Sequence, residues 1–163
     1  MNADDDKTIA NRALIERFYR AFQQRDAATM AACYHAAATF RDPVFELAGS
    51  RIGSMWKMLT ARGTDLRVEY GNVIADAANG GADWQAWYTF SATGRPVHNI
   101  IAARFRFADG LIIEHVDTFD FWRWSRQALG PTGALLGWSP LIRGKVRGEA
   151  MRALDRFEGA RTG

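Results

Sequence analysis

The chain has 163 residues, of which 48% are hydrophobic, with one cysteine and a formal net charge of +3. This is the make-up of one folded domain and excludes a disordered chain, a disulfide-stapled scaffold and a collagen-like or repeat protein. Apolar runs fall far short of the ~20 residues that span a bilayer, and the acidic start MNADDDK lacks the basic opening of a secretory leader, so a cytoplasmic protein without a transmembrane segment is expected.

Residues 1–7 read as a disordered start. A helix is predicted from Thr8 to Gln24, because Leu14, Phe18 and Phe22 recur four apart with Ile15 and Tyr19 beside them. Asp26 caps a short second helix that runs through Cys33 and Tyr34. The stretch ATF at 38–40 turns extended, and Pro43 ends any local helix. A third helix opens at Gly49 and Ser50, buries Ile52, Met55, Trp56 and Leu59, and stops at Gly63.

From residue 64 the period becomes two. Leu66, Val68 and Tyr70 alternate with charged residues. Further strands follow at 84–91, 97–107 and 111–121, the last two joined by a tight turn at Asp109–Gly110. Helices followed by long strands define an α+β fold, with three N-terminal helices packed on one face of a curved antiparallel sheet. Residues 8–121 form this domain. Residues 122–160 form a C-terminal helical extension, in which 122–129 continues as helix, GPTGALLGWSP is a loop, and 141–158 is an amphipathic helix with Ile142, Val146, Ala150, Leu154 and Phe157 on one side. The basic excess is concentrated here, since residues 121–163 hold 8 Arg/Lys against 3 acids. A basic tail can meet nucleic acid or anionic lipid, but a solvated helix face is the plainer reading, and no nucleic-acid partner is expected.

Three residues stand out as chemistry. Asp42 precedes Pro43, which favours an extended backbone at position 42. A carboxylate aimed from there into an apolar cavity would have a raised pKa and serve as a general base, and the alternative is a turn aspartate capping its own loop. His115 and Asp117 are two apart in a strand and share a face with Ile113 and Phe119. Such a pair is costly to bury unless hydrogen-bonded or wet, and suits an acid–base relay or a structural staple. His98, with Asn99, is a further candidate; on simple parity His98 faces opposite to Ala103 and Phe105, on the outer side of the sheet with Arg104, unless a β-bulge reverses it. Glycine-rich phosphate loops, paired cysteines, HExxH and GxSxG are absent from the sequence. His98, His115 and Asp117 would be the only conceivable metal set, and neither a metal nor a cofactor is expected. Cys33 reads as inert core, and Trp122 and Trp124 as packing or interface rather than a nucleotide platform.

Residues 9–120 resemble the nuclear-transport-factor-2-like (NTF2-like, cystatin-like) superfamily, in particular its SnoaL-like polyketide cyclase and ketosteroid isomerase-like branches. The likeness lies in IERFYRAFQQRDAATMAACYHAAATFRDPVF, in the helix after Gly49, and in the hairpin ARFRFADGLIIEHVDTFD with its pattern F-x-F-x-D-G-x-I-x-x-x-x-D. The resemblance implies a cone-shaped roll with a deep hydrophobic pocket, lined by Phe18, Tyr19, Phe40, Trp56, Ala103, Phe105 and Phe119, and a homodimer. Against the ketosteroid isomerases, Asp42 falls on the base, Phe18 on the oxyanion tyrosine and Ala103 on the oxyanion aspartate. Neither Phe18 nor Ala103 can donate a proton, which argues against steroid isomerisation. The expectation is therefore a cofactor-independent isomerase, cyclase or lyase for a small hydrophobic carbonyl compound, using Asp42, His115 and Asp117. The alternative is a non-catalytic ligand-binding or assembly domain.

Overall fold

A computed structural model describes residues 2–163. Helix α1 spans Ala3–Gln23. It begins well before Thr8 because Asn2 and Asp5 form a reciprocal capping box and Asp4, Asp5 and Asp6 sit in the positive first turn. The expected disorder of residues 1–7 thus fails for the described residues, Met1 lying outside them. Helix α2 (Ala27–Ala32) is capped by Asp26, whose carboxylate accepts from the Thr29 amide and hydroxyl. It is shorter than predicted, since Cys33 is its C-cap and Tyr34 already belongs to β1 (Tyr34–Arg41). Strand β2 (Glu46–Ala48) returns against β1, and α3 (Ser50–Arg62) follows Gly49, which holds a φ of 61°.

The long strands are β3 (Arg67–Ala75), β4 (Asn79–Phe90), β5 (Arg95–Ala108) and β6 (Leu111–Thr118). Asp109 and Gly110 both take positive φ, the turn that matches the twist of a two-residue hairpin. The six strands form one sheet in the order β2-β1-β6-β5-β4-β3. Every neighbouring pair is antiparallel except β1–β6, which is parallel, so the sheet is mixed where an antiparallel one was expected.

Helices α1 and α3 lie on one face. Ile15, Phe18, Tyr19 and Phe22 from α1, and Ile52, Met55 and Trp56 from α3, are buried against Ala82, Trp84, Ala103, Phe105 and Ile112 of the sheet. Along β6, simple alternation fails. Arg106 pairs with Glu114 and Phe107 with Ile112, so Ile113 is an extra residue on the β6 side. This bulge puts Ile112 on the inner face with His115 and Asp117, where alternation had placed it on the opposite one.

The extension forms three helices: α4 (Phe121–Leu129), α5 (Pro131–Leu136) and α6 (Pro140–Arg161). Strand β6 ends opposite Ala102, leaving the earlier part of β5 without a strand on that side. Helix α4 covers it. The Gln127 side-chain oxygen accepts from the His98 amide at 2.7 Å, and Arg123 Nη1 and Gln127 Nε2 donate to the His98 carbonyl at 2.8 and 3.1 Å. The expected loop over GPTGALLGWSP contains α5, because Pro131 fits the first helical turn and Gly133 and Gly137 permit contact with Ser125 of α4. Helix α6 returns across α3, where Arg51 pairs with Asp155 at 2.5 Å and Glu158 at 3.3 Å and Leu154 is fully buried. It continues through Arg161, past the point where fraying was expected. No helix among the described residues is long and apolar enough to cross a membrane.

Candidate active site

A cavity of about 390 Å³ opens between α3, α6 and the inner face of β4–β6. Its walls are apolar: Phe22, Met55, Trp56 and Leu59 from the helices, Trp84, Ala86 and Ile101 from the sheet, Phe119 after β6, and Val146, Ala150 and Ala153 from α6. Glu149, Arg156 and Arg62 also line it. Its remaining polar groups are few: Asp42, Tyr88, Thr89, Ser91, Asn99 and Asp117. An apolar chamber with a handful of inward polar groups is the usual form of a small-molecule site.

Asp42 sits in the turn between β1 and β2. Its Oδ1 accepts from the Val44 and Phe45 amides at 2.7 and 2.6 Å, and Oδ2 has no hydrogen-bond partner among the described residues. Asp42 thus caps its own turn through Oδ1 and also lines the cavity. Burial raises its pKa to about 6, against the lowering effect of the two amides, and the charge of Asp117 adds to the rise.

Asp117 reaches the same cavity from β6, and His115 lies behind it. Trp56 Nε1 donates to the Tyr34 hydroxyl at 3.0 Å, Tyr34 meets His115 Nδ1 at 2.7 Å, and His115 Nε2 meets Asp117 Oδ1 at 2.9 Å. Trp84 Nε1 approaches the same Asp117 oxygen at 3.4 Å. An indole N–H only donates, so Tyr34 accepts from Trp56 and its own hydrogen goes to Nδ1. That direction leaves Nδ1 without a hydrogen and assigns the single N–H of the imidazole to Nε2, donating to Asp117. Burial holds the Tyr34 hydroxyl well above its usual pKa, keeping it a donor.

Of the residues expected on the pocket wall, Trp56 and Phe119 line the cavity. Phe18, Phe40 and Phe105 instead cage the His115 ring, with centroids at 5.7, 4.9 and 4.4 Å. They fill the space beneath α1, so the cavity lies further along the strands, toward α6. Ala103 is buried core, and Tyr19 stacks on Tyr70 at 5.2 Å with a hydroxyl that has no partner. His115 has no exposed side-chain surface, so it acts on the cavity only through Asp117. His98 lies on the outer face, stacked on Trp87 at 4.5 Å and bonded to Gln85. The sheet thus separates His98 from His115 and Asp117, and these three cannot share a metal. Among the described residues no three His, Cys, Asp or Glu side chains gather to hold an ion.

Two further polar side chains line the cavity: Asn99, the companion of His98 among the candidates, and Tyr88. Asn99 is 8% exposed, lines the cavity, and its side chain makes no hydrogen bond among the described residues. Its signal in the sequence is parity, since 99 is in phase with Ala103 and Phe105. Tyr88 accepts a hydrogen bond from Trp124 Nε1 at 2.8 Å, which leaves its own hydrogen free. Burial raises its pKa, and the Asp42 charge contributes.

Residues 15–115 match the SnoaL-like domain family. No curated protein matches the chain. Among solved structures, an LEH-like epoxide hydrolase from M. tuberculosis superposes with a TM-score of 0.61 at 20% identity, covering 81% of this chain and 98% of that one. A polyketide-cyclase candidate from Xanthomonas campestris pv. campestris gives 0.63 at 16% identity, over 74% and 98%. A protein of ketosteroid isomerase-like fold from Catenulispora acidiphila, in complex with trimethylamine, gives 0.63 at 12% identity, over 72% and 93%. At these identities the structures share the fold.

Proposed function

From the premise that the chain belongs to the SnoaL-like domain family, with the NTF2-like fold its structural neighbours share, we propose an acid–base enzyme needing no cofactor, which isomerises, cyclises or eliminates from a small hydrophobic carbonyl compound. Family membership leaves the reaction open, and the cavity carries the reading. The decisive observation is that Asp42, with its pKa raised to about 6, faces the same apolar cavity as two uncommitted donors, Asn99 and Tyr88.

In this reading the free Oδ2 of Asp42 removes a proton from the carbon beside the carbonyl. The two backbone amides on Oδ1 aim the carboxylate. As charge builds on the carbonyl oxygen, the Asn99 amide and the Tyr88 hydroxyl donate to it. They supply what Phe18 and Ala103 cannot. Protonated Asp42 then returns the proton to another carbon or to a leaving group. Asp117 offers a second carboxylate for that transfer, and His115 is a positioning residue that holds Asp117 with Trp84.

The test is solvent-deuterium exchange at the α-carbon of a panel of small cyclic ketones, followed by proton NMR. Wild type is expected to exchange faster as pH rises through about 6, and Asp42→Asn to lose about 100-fold or more. Unchanged exchange in Asp42→Asn would remove Asp42 from the mechanism. The mutually bonded His115–Asp117 pair favours a second reading, binding without turnover. Ligand-induced protection of the cavity with no exchange from wild type would establish that one. The lone Cys33 suits a reducing cytoplasm, and the Trp87–His98 face with its exposed Ile100 suits a homodimer through the sheet.

A further inference from the structure

We propose that the corner between α5 and α6 docks the protein on an anionic lipid surface. Leu135, Trp138 and Leu141 are 72%, 73% and 80% exposed, more than any other large apolar side chain among the described residues, and they fall within seven consecutive positions. Leu136 and Trp122 extend the patch. Isolated exposed apolar side chains need no explanation, whereas a cluster marks a surface that meets something.

The corner is built rather than frayed. A Cβ on Gly133 would stand 1.9 Å from the Ser125 carbonyl oxygen, and one on Gly137 2.0 Å from the Ser125 hydroxyl. Trp122 Nε1 donates to the Ala134 carbonyl and Trp138 Nε1 to that of Leu135. The apolar side chains are therefore displayed on backbone pinned to α4.

Charge selects the occupant. Residues 121–148 hold Arg123, Arg126, Arg143, Lys145 and Arg147 and no Asp or Glu. None of the five forms an ion pair among the described residues. Arg126 lies over the Trp122 ring at 4.0 Å and Arg143 over Phe121 at 5.0 Å, which keeps cations beside the patch. A second copy seated on the same corner would bring further cations, and residues 121–148 hold no acid to meet them. Nucleic acid would neutralise the cations and leave the leucines unserved. Anionic headgroups over acyl chains satisfy both, with tryptophan at the level between them.

The surface also leads to the cavity. From Leu141, α6 reaches the cavity-lining Val146 in five residues, about 8 Å along its axis. A hydrophobic ligand could pass from lipid to cavity along one helix. The docking itself is independent of any reaction in that cavity.

Vesicle flotation with the full chain tests this. Wild type should float with phosphatidylcholine vesicles containing roughly one-third phosphatidylglycerol, stay behind with phosphatidylcholine alone, and be released by high salt. The triple variant Leu135→Ser, Trp138→Ser, Leu141→Ser should lose flotation while keeping its circular dichroism, and Arg143→Glu with Lys145→Glu should weaken it with the patch intact. Absence of flotation by wild type would overturn the proposal, as would full flotation by the triple variant. So would a dimer that the triple variant dissociates, or an oligonucleotide that wild type binds in preference to the vesicles.

Discussion

The side chain with the most at stake is Asp42. Its folded pKa of about 6 lies above the 3.8 of an ordinary aspartate. Between these values the folded protein holds a proton that the unfolded chain has released, so stability falls as pH rises through roughly 4 to 6 and changes no further above that window. Asp42→Asn keeps an acceptor for the Val44 and Phe45 amides and removes the buried charge. It should stabilise the protein at pH 7.5 by up to about 3 kcal/mol, with the gain vanishing below about pH 4, as read by urea denaturation across that range. The variant expected to lose exchange would then be the more stable one, the common conflict between a functional group and the fold that carries it. Asp42 and Asp117 can be singled out as candidates from the sequence because Pro43 holds position 42 extended between helices and sheet, and because an aspartate two residues from a histidine in an apolar strand is costly to bury unless partnered. Asn99 stands out only as the companion of His98, with strand parity as its signal, and Tyr88 has no signal at all, since phenols sit in strands for many reasons and the cavity between α3, α6 and the sheet is set by packing.

Among the elements, those with strong periodicity were predictable and those defined by partners were not. Helices α1 and α3 carry stripes that allow no other face. Strand β1 reads YHAAATFR, of which only ATF declares itself extended; its HAAA start is too poor in branched and aromatic residues, and it joins the sheet because β2 and β6 flank the strand on both sides. Ile113 looks like an ordinary alternating position, and the bulge is set by the partner strand. Helix α5 was hidden by the glycines that suggest a loop. Those glycines are the contact itself, and Gly133→Ala should therefore cost on the order of 1–3 kcal/mol through forced displacement. Thermal unfolding would read the loss, and hydrogen exchange should show faster opening in α4 and α5 than in the sheet. A Gly133→Ala protein as stable as wild type would mean that α5 is not seated on Ser125.

At the scale of the molecule, the curved sheet divides two environments. Its inner face holds the aromatic cage, the His115 relay and the cavity. Its outer face presents the Trp87–His98 stack, Arg67 over Trp87 at 3.9 Å, and the half-exposed Ile100. If this face joins two copies, Ile100→Glu should shift the protein to monomer in sedimentation velocity, since a carboxylate would be stranded in the contact. An unaltered sedimentation coefficient would place any contact elsewhere. The segment matching the family stops at residue 115, while Asp117, Phe119, Trp124 and the α6 side of the cavity wall lie beyond it. The chamber is thus assembled from two stretches of chain, one inside the family segment and one beyond it. A chimaera that keeps residues 1–120 and takes its last helices from a relative would keep Asp42, Tyr88, Asn99 and Asp117 while exchanging the α6 side of the cavity wall, so it should change which ligands fit without disturbing the carboxylates.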